Sequence, residues 1–230
     1  MEELLYQKPS YDFSIIIPCR NDGNTLFYTL QTCLNQEYAE NYEIVISDNA
    51  DQKWGADTPC ARICNKINDE RIHYYRTPAN LSLPKNFEYA FLNAKGAFLI
   101  SMGADDGILP WALSRISGVL RTLSKQKVFL WNAATYRWPG TDKGAHIRKE
   151  SAFLSTPEEN IPNEPTIIQY KTEDVFWQSF DTYGMMHMLP QLYHNSGIRR
   201  AYMAELYEQT GILWAGTSQD ICMAVTVGNI

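Results

Sequence analysis

Short apolar runs alternate with helix-like patterns along the first half of the chain. Four runs are short and rich in β-branched and aromatic residues, which predicts strands over Phe13–Pro18, Tyr42–Ser47, Arg71–Arg76 and Ala97–Met102. Between them, apolar residues recur at helical spacing over Thr25–Asn35, Asp57–Ile67 and Lys85–Ala94. Runs that are mostly apolar, such as Phe13–Pro18 and Ala97–Met102, are typical of strands buried on both faces, and helices between strands make the crossover connections of a parallel sheet. The pattern therefore predicts an α/β fold with an open, mostly parallel sheet flanked by helices.

The second half of the chain has a less regular pattern. It predicts a helix, a strand and a second helix over Trp111–Ser124, Lys127–Ala133 and Ile168–Thr182. Between Pro139 and Pro165, prolines and charges occur without a sustained period, which favours a long excursion or a flexible flap over one end of the sheet. A helical pattern that begins near Ser218 still runs at Ile230, so we expect the chain to be truncated at its C-terminus.

Composition and charge exclude several classes of protein. The 230 residues are 45% hydrophobic and 20% charged, which is enough apolar surface for a large core. The formal net charge is −6, and an acidic surface repels a phosphate backbone, so no nucleic-acid partner is expected. The N-terminus is acidic and lacks the pattern of a signal peptide. The most apolar runs are about five residues long, against roughly 20 for a membrane span.

The five cysteines are odd in number and scattered, which favours free thiols and a reducing cytoplasm. Cys60 and Cys64 stand four residues apart on a predicted helix. A zinc ion needs about two more ligands, and the nearest histidine, His73, has no partner in the sequence. We therefore expect Cys60 and Cys64 to be buried helix thiols rather than metal ligands.

Polar residues follow the predicted strands, and in an open parallel sheet the ligand crevice lies outside these carboxyl ends. The first strand runs into Pro18-Cys19-Arg20-Asn21-Asp22, the second into Asp48, and the fourth into Asp105 and Asp106. Two adjacent carboxylates repel each other in a crevice unless a cation compensates them. Mg²⁺ or Mn²⁺ is commonly held by one or two carboxylates together with diphosphate oxygens. The alternative is that one of the pair caps the helix that follows.

The chain resembles family 2 glycosyltransferases with the GT-A (Rossmann-like) fold, in particular bacterial enzymes of surface-polysaccharide assembly. Four segments carry the resemblance in the same order and spacing: FSIIIPCRNDGNTLFYTLQTCLNQ, YEIVISDNAD, NLSLPKNFEYAFLNAKGAFLISMGADDGILP and TSQDICMAV. It covers about residues 12–136 and resumes near residues 183–225. It implies a nucleotide-sugar-binding half at 1–136 and, at 137–230, the excursion and an acceptor-side half of the same domain.

The resemblance also implies roles for individual residues at the donor side. The nucleotide base, usually uracil, would be held by the turn after the first strand and by the aspartate after the second, which correspond to Pro18, Cys19, Arg20, Asn21 and Asp48. Asp105 and Asp106 correspond to the contacts with the ribose and with the metal on the diphosphate, in either assignment. Lys85 lies where relatives place a basic residue near the diphosphate, although a solvated helix-start charge is an equal alternative. Gly103 is a departure, because many relatives have an acid there.

At the acceptor side, Asp220 corresponds to the general base of the family, which takes the proton of the attacking hydroxyl. An aspartate in the first turn of a helix is also favourable electrostatically, so a helix-start role is the alternative. His187, His194 and Trp214 are candidate acceptor contacts, as are the rings of Tyr183 and Tyr193. A histidine among apolar neighbours is more commonly a core residue.

The prediction is an inverting, metal-dependent glycosyltransferase of the hexosyl- or N-acetylhexosaminyltransferase class. It would move a sugar from a nucleotide-sugar, with UDP as the expected nucleotide, to a saccharide or lipid-linked saccharide in polysaccharide biosynthesis. The alternatives are a sugar-nucleotide nucleotidyltransferase and a catalytically silent nucleotide- or carbohydrate-binding module. The cofactor expected is Mn²⁺ or Mg²⁺. The expected location is the cytoplasm. An open alternative is peripheral contact with the inner face of the cell membrane through a missing C-terminal part.

Overall fold

The computed structural model of the chain describes residues 6–39, 41–133, 136–137, 153–154, 166–169, 171, 174, 189–193 and 195–214. The strands in these ranges are β1 Tyr11–Cys19, β2 Tyr42–Asp48, β3 Ile72–Arg76, β4 Gly96–Ser101, β5 Val128–Leu130, β6 Tyr136–Arg137, β7 Phe153–Leu154 and β8 Ser196–Arg199. The helices are α1 Gly23–Leu34, α2 Pro59–Ile67, α3 Leu83–Asn93, α4 Ala112–Thr122 and α5 Arg200–Thr210, with a short 3₁₀ turn at Gln52–Trp54.

Six of these strands form one sheet in the order β3-β2-β1-β4-β8-β5. Strands β1 to β4 are mutually parallel, and β8 runs antiparallel to both β4 and β5. The predicted open, mostly parallel sheet is thus confirmed. The four predicted strands and three helices of the first half begin and end within two residues of the expected positions.

The centre of the sheet is buried on both faces, as the apolar runs predicted. Ile15, Ile16 and Ile17 of β1 are each 0% exposed, and so are Ile44 and Val45 of β2. Burial of a side chain of this size contributes about 1.5–3 kcal/mol. These runs therefore hold rigid the strands whose carboxyl ends carry the polar residues.

Strand β8 and helix α5 have no clear signal in the sequence pattern. Strand β8 is four residues long and contains Gly197, which sits against the ring of Phe98 on β4. A Cβ at Gly197 would overlap the ring of Phe98, so glycine at this position allows the two strands to pair this closely. The strand predicted over Lys127–Ala133 is shorter than expected and spans Val128–Leu130, where it pairs with β8.

The chain divides into a unit of residues 1–130 with 170–230 and a unit of residues 131–169. In the second unit, β6 and β7 form a two-stranded antiparallel ribbon. The predicted excursion over Pro139–Pro165 and the predicted helix over Ile168–Thr182 lie largely outside the described residues. Within the described ranges, no helix is both long enough and apolar enough to cross a bilayer.

Candidate active site

The polar residues that follow the parallel strands lie at one edge of the sheet. Cys19 at the end of β1 is the register partner of Asp48 at the end of β2. On the other side of β1, the backbone N–H of Met102 donates to the carbonyl of Ile16, so the chain leaving β4 stays beside β1 up to this edge. The turn after β1, Asp48 and the acidic turn after β4 are therefore neighbours, as the sequence predicts.

The acidic turn after β4 is closed by Asp106. Its carboxylate oxygen Oδ2 accepts a hydrogen bond of 2.7 Å from the backbone N–H of Gly103. Two hydroxyls of α1 hold the same turn from below. Thr29 Oγ1 lies 2.9 Å from the carbonyl of Ala104 and 2.7 Å from that of Asp106, and Thr32 Oγ1 accepts from the N–H of Ile108 at 3.1 Å. The two aspartates are thus presented by a braced turn.

Three oxygens converge on the space above Gly103. The position that a Cβ would occupy there is 2.7 Å from Asp105 Oδ1, 2.7 Å from the hydroxyl of Tyr193 and 3.0 Å from Asp106 Oδ2. A side chain at this position would fill the space between the two carboxylates. The departure from the family pattern at Gly103 therefore means that no side chain stands among these three oxygens and that no further carboxylate is added.

This arrangement fits a hard divalent cation. Mg²⁺ and Mn²⁺ prefer oxygen ligands, and one or two carboxylates with a substrate diphosphate are a common ligand set. Asp105 is exposed and Asp106 is half-buried, so a diphosphate can approach the pair from the solvent side. The residues that would hold the cation are Asp105 and Asp106, with the Tyr193 hydroxyl beside them.

Asp22 adds negative charge to the same edge. Burial raises the pKa of its carboxyl above the ordinary value, and the nearby charges of Asp105 and Asp48 act in the same direction. The backbone N–H of Arg20, which donates to Asp22 at 2.5 Å, acts against this rise in pKa. Asp105 and Asp48 thus each lie within electrostatic reach of Asp22, and a negative field of this kind attracts a cation.

The turn after β1 carries the candidate donor contacts Pro18, Cys19, Arg20 and Asn21. Pro18 and Cys19 are buried, whereas Arg20 and Asn21 are exposed. Arg20 pairs with Asp51 at 2.9 Å, and this hydrogen bond lowers the pKa of the Asp51 carboxyl. Asn21 adopts a positive φ of 64°, which asparagine tolerates better than most residues.

Asp48 is 0% exposed, and hydrogen bonds within the protein hold its carboxylate. Oδ2 accepts from the hydroxyls of Thr58 and of Tyr74, the latter at 2.7 Å, and Oδ1 accepts from the N–H of Ala50 at 2.9 Å. Burial raises the pKa of Tyr74, and so does its bond to Asp48. Arg76 lies 4.0 Å from Asp48 Oδ1 and offsets part of the buried charge.

Lys85 on the exposed start of α3 forms an ion pair with Glu88 at 2.6 Å. The other oxygen of Glu88 accepts from the backbone N–H of Leu213 at 2.9 Å and lies 3.5 Å from that of Trp214. Glu88 therefore links Lys85, the basic residue expected near the diphosphate, to the backbone at Leu213 and Trp214. Trp214 lies six residues before Asp220 in the sequence. No motif in the sequence singles out Glu88, although its position three residues after Lys85 on a helix permits the pair.

The acceptor-side candidates are only partly described. His187, His194, Tyr183 and Asp220 lie outside the described residues. Trp214 is 1% exposed, with its ring centroid 4.5 Å from that of Phe91, so the structure places it in the core without a free face for stacking on a sugar.

An α/β sheet of this topology, with an acidic oxygen-lined turn at its carboxyl edge, has the architecture of the GT-A glycosyltransferase fold. The sequence model of glycosyl transferase family 2 matches residues 14–206, which is most of the chain. The chain therefore belongs to glycosyl transferase family 2, and the resemblance found in the sequence is confirmed.

Individual relatives agree with this assignment. One is the UDP-Glc:alpha-D-GlcNAc-diphosphoundecaprenol beta-1,3-glucosyltransferase WfaP of Escherichia coli, 30% identical over 118 residues that make up 50% of this chain and 43% of WfaP. Among solved structures, S. aureus TarS 1–349 matches 94% of this chain and 54% of its own with a TM-score of 0.63 at 16% identity. The mannosyltransferase PcManGT of Pyrobaculum calidifontis, in complex with GDP-Man and Mn²⁺, matches 94% of this chain and 51% of its own with a TM-score of 0.52 at 13% identity. The chain thus spans about half the length of these proteins.

Proposed function

We propose that this chain is an inverting glycosyltransferase that depends on a divalent cation. It moves a sugar from a UDP-sugar to a saccharide or lipid-linked saccharide acceptor in polysaccharide biosynthesis. The observation that carries the proposal is the convergence of Asp105 Oδ1, Asp106 Oδ2 and the Tyr193 hydroxyl above Gly103. This group of oxygens lies at the carboxyl edge of the sheet, where open α/β folds bind nucleotides.

The donor-side roles follow from this placement. Asp105 and Asp106 hold a cation, Mn²⁺ or Mg²⁺, that supplies charge neutralisation for the departing diphosphate. Arg20 and Asn21 offer the exposed polar groups of the turn after β1, and Lys85 adds a positive charge near the diphosphate. Asp48 reads the base, which requires that the imide N–H of uracil displace one of the hydroxyl donors that now bind its Oδ2.

The acceptor-side roles rest on the family pattern. Asp220 is the general base that takes the proton of the attacking hydroxyl, and one base suffices because the diphosphate leaves without being protonated. His187 and His194 contact the acceptor. Trp214 is not included among the acceptor contacts, because its ring is packed in the core.

The known relatives support the choice of donor and acceptor. WfaP is named for a UDP-glucose donor and a diphosphoundecaprenol-linked acceptor, and TarS has been solved with UDP-GlcNAc. Because a lipid-linked acceptor is held in a membrane, the proposal includes peripheral contact of the protein with the inner face of the cell membrane. Because the mannosyltransferase was solved in complex with GDP-Man and Mn²⁺, GDP-sugars are the natural ligands to compare with UDP-sugars in a binding assay.

The test is calorimetric titration of the chain with UDP in the presence of Mn²⁺ and in the presence of EDTA. UDP should bind much more tightly with Mn²⁺, and the double variant Asp105→Asn/Asp106→Asn should lose most of this difference. Asp69→Asn is the matched control, because Asp69 pairs with Arg71 just before β3, at the opposite edge of the sheet. UDP affinity that responds neither to EDTA nor to the double variant would contradict the proposal. Donor binding without any transfer by the full-length protein would favour the silent binding module.

A further inference from the structure

Two thiols and a carboxylate meet directly beneath the turn after β1. Cys19 comes from the end of β1, Asp48 from the end of β2 and Cys60 from the first turn of α2. Their ligand atoms all lie within 4.8 Å of one another, and the two sulfur atoms are 3.1 Å apart. The exposed fractions are 2% for Cys19 and 0% for both Asp48 and Cys60. The sequence pointed away from a metal at Cys60 because it showed no neighbouring ligands, and the fold brings two of them to it.

The charges of this cluster suit a divalent ion. Two thiolates and the Asp48 carboxylate carry three negative charges, and the guanidinium of Arg76, 4.0 Å from Asp48 Oδ1, offsets one of them. A divalent cation balances the other two, which removes the cost of burying unpaired charge. Thiolate sulfur selects soft or borderline ions such as Zn²⁺ and Cd²⁺ over Mg²⁺ and Mn²⁺. The cluster therefore differs in its metal preference from the all-oxygen turn at Asp105.

The geometry needs only a small adjustment. Zinc–sulfur bonds of about 2.3 Å in a tetrahedral site put two sulfur atoms roughly 3.8 Å apart, so the sulfurs of Cys19 and Cys60 separate by about 0.7 Å through side-chain rotation. Asp48 Oδ1 accepts one hydrogen bond among the described residues, from Ala50, and a carboxylate oxygen has two acceptor positions. Cys64 lies one helical turn after Cys60 and is 8% exposed, so the same face of α2 offers a further sulfur nearby.

We propose that Cys19, Asp48 and Cys60 form a binding site for a thiophilic divalent cation of the Zn²⁺ or Cd²⁺ type, separate from the Asp105–Asp106 pair. Binding releases the protons of the two thiols and forms two metal–sulfur bonds and one metal–oxygen bond. A further consequence rests on the proposed function. Because a cation on Oδ1 withdraws negative charge from the same Asp48 carboxylate whose Oδ2 is proposed to accept from the base, occupation of the thiol site weakens UDP binding.

The experiment titrates the reduced, chelator-treated chain with Cd²⁺ and follows the ultraviolet sulfur-to-cadmium charge-transfer band, with calorimetry for the stoichiometry. The wild type should bind one Cd²⁺ tightly and show the band. Cys19→Ser and Cys60→Ser should each lose affinity by at least tenfold, and the band should fall accordingly. Cys33→Ser is the matched control, because Cys33 is a buried thiol that contacts Met102 instead, and it should behave as the wild type.

Thermal melting shows whether each variant is folded and whether Cd²⁺ binds its folded state. Cd²⁺ should raise the melting temperature of the wild type and of Cys33→Ser but not that of Cys60→Ser. Absence of the band in the wild type, or a full band in both Cys19→Ser and Cys60→Ser, would overturn the site. UDP titrated in Mg²⁺ buffer tests the consequence separately. If Cd²⁺ binds as expected but leaves UDP affinity unchanged, the thiol site is confirmed and the proposed role of Asp48 in reading the base is contradicted.

Discussion

Replacing Gly103 with alanine tests the proposed cation site with the smallest possible change. The added Cβ would lie 2.7 Å from both Asp105 Oδ1 and the Tyr193 hydroxyl. Each of these oxygens must retreat by about 0.7 Å to reach the 3.4 Å at which ordinary van der Waals contact begins. Such a shift is a third of a metal–oxygen bond of about 2.1 Å, and Mg²⁺ tolerates little departure from its octahedral geometry.

We expect Gly103→Ala to weaken Mn²⁺-dependent UDP binding by roughly tenfold to a hundredfold, the loss usual when metal ligands are misoriented. This corresponds to about 1.4–2.8 kcal/mol. The fold should survive, because the crowded atoms are the terminal oxygens of side chains rather than backbone, and the backbone at Gly103 does not require a positive φ. Calorimetry with UDP in Mn²⁺ measures the affinity, and urea unfolding measures the stability.

Gly118→Ala is the matched control for this prediction. Gly118 lies within α4, and an added Cβ there meets nothing within 4 Å. Alanine in a helix interior stabilises by about 0.5–1 kcal/mol relative to glycine, so this variant should unfold at higher urea and bind UDP normally. If Gly103→Ala bound UDP with Mn²⁺ as tightly as the wild type, the convergence of oxygens above Gly103 would not be the cation site.

Three further predictions concern carboxylates. In metal-free buffer at neutral pH, Asp22→Asn should raise the melting temperature, because the pKa of the Asp22 carboxyl is raised in the folded state and the ionised carboxylate therefore destabilises the folded protein. This gain in melting temperature should vanish below about pH 4, where the carboxyl is protonated in both the folded and the unfolded state. Glu88→Gln should unfold near the wild-type urea midpoint, whereas Glu88→Ala should lose about 1–3 kcal/mol, because the buried N–H of Leu213 then lacks its acceptor. In the full-length protein, Asp220→Asn should lower kcat by about 10² to 10⁴ with donor affinity, measured by calorimetry, unchanged within a few fold; a helix-start role for Asp220 predicts near-normal turnover instead.

The sequence by itself determined the parallel part of the fold. Runs such as Phe13–Pro18 and Ala97–Met102 are apolar at every position but one, a serine, and show no alternation of apolar and polar residues. A strand with this pattern is typically buried on both faces. The carboxyl ends of parallel strands necessarily share an edge, so the neighbourhood of Asp48 and Asp105 also followed from the sequence. These inferences held because they depend on periodicity and direction along the chain, which are local properties.

Only the tertiary structure decided which side chains touch. The pairing of β8 beside β4 depends on the fit of Phe98 against Gly197, two residues 99 positions apart that carry no periodic signal. In the same way Tyr193 reaches the space above Gly103, and Cys19 meets Cys60 although 41 positions separate them in sequence. Trp214 is of a residue type that can stack on sugar rings, but its packing against Phe91 buries its own ring. Contacts of this kind arise from close packing between elements, and residue type and spacing along the chain do not encode them.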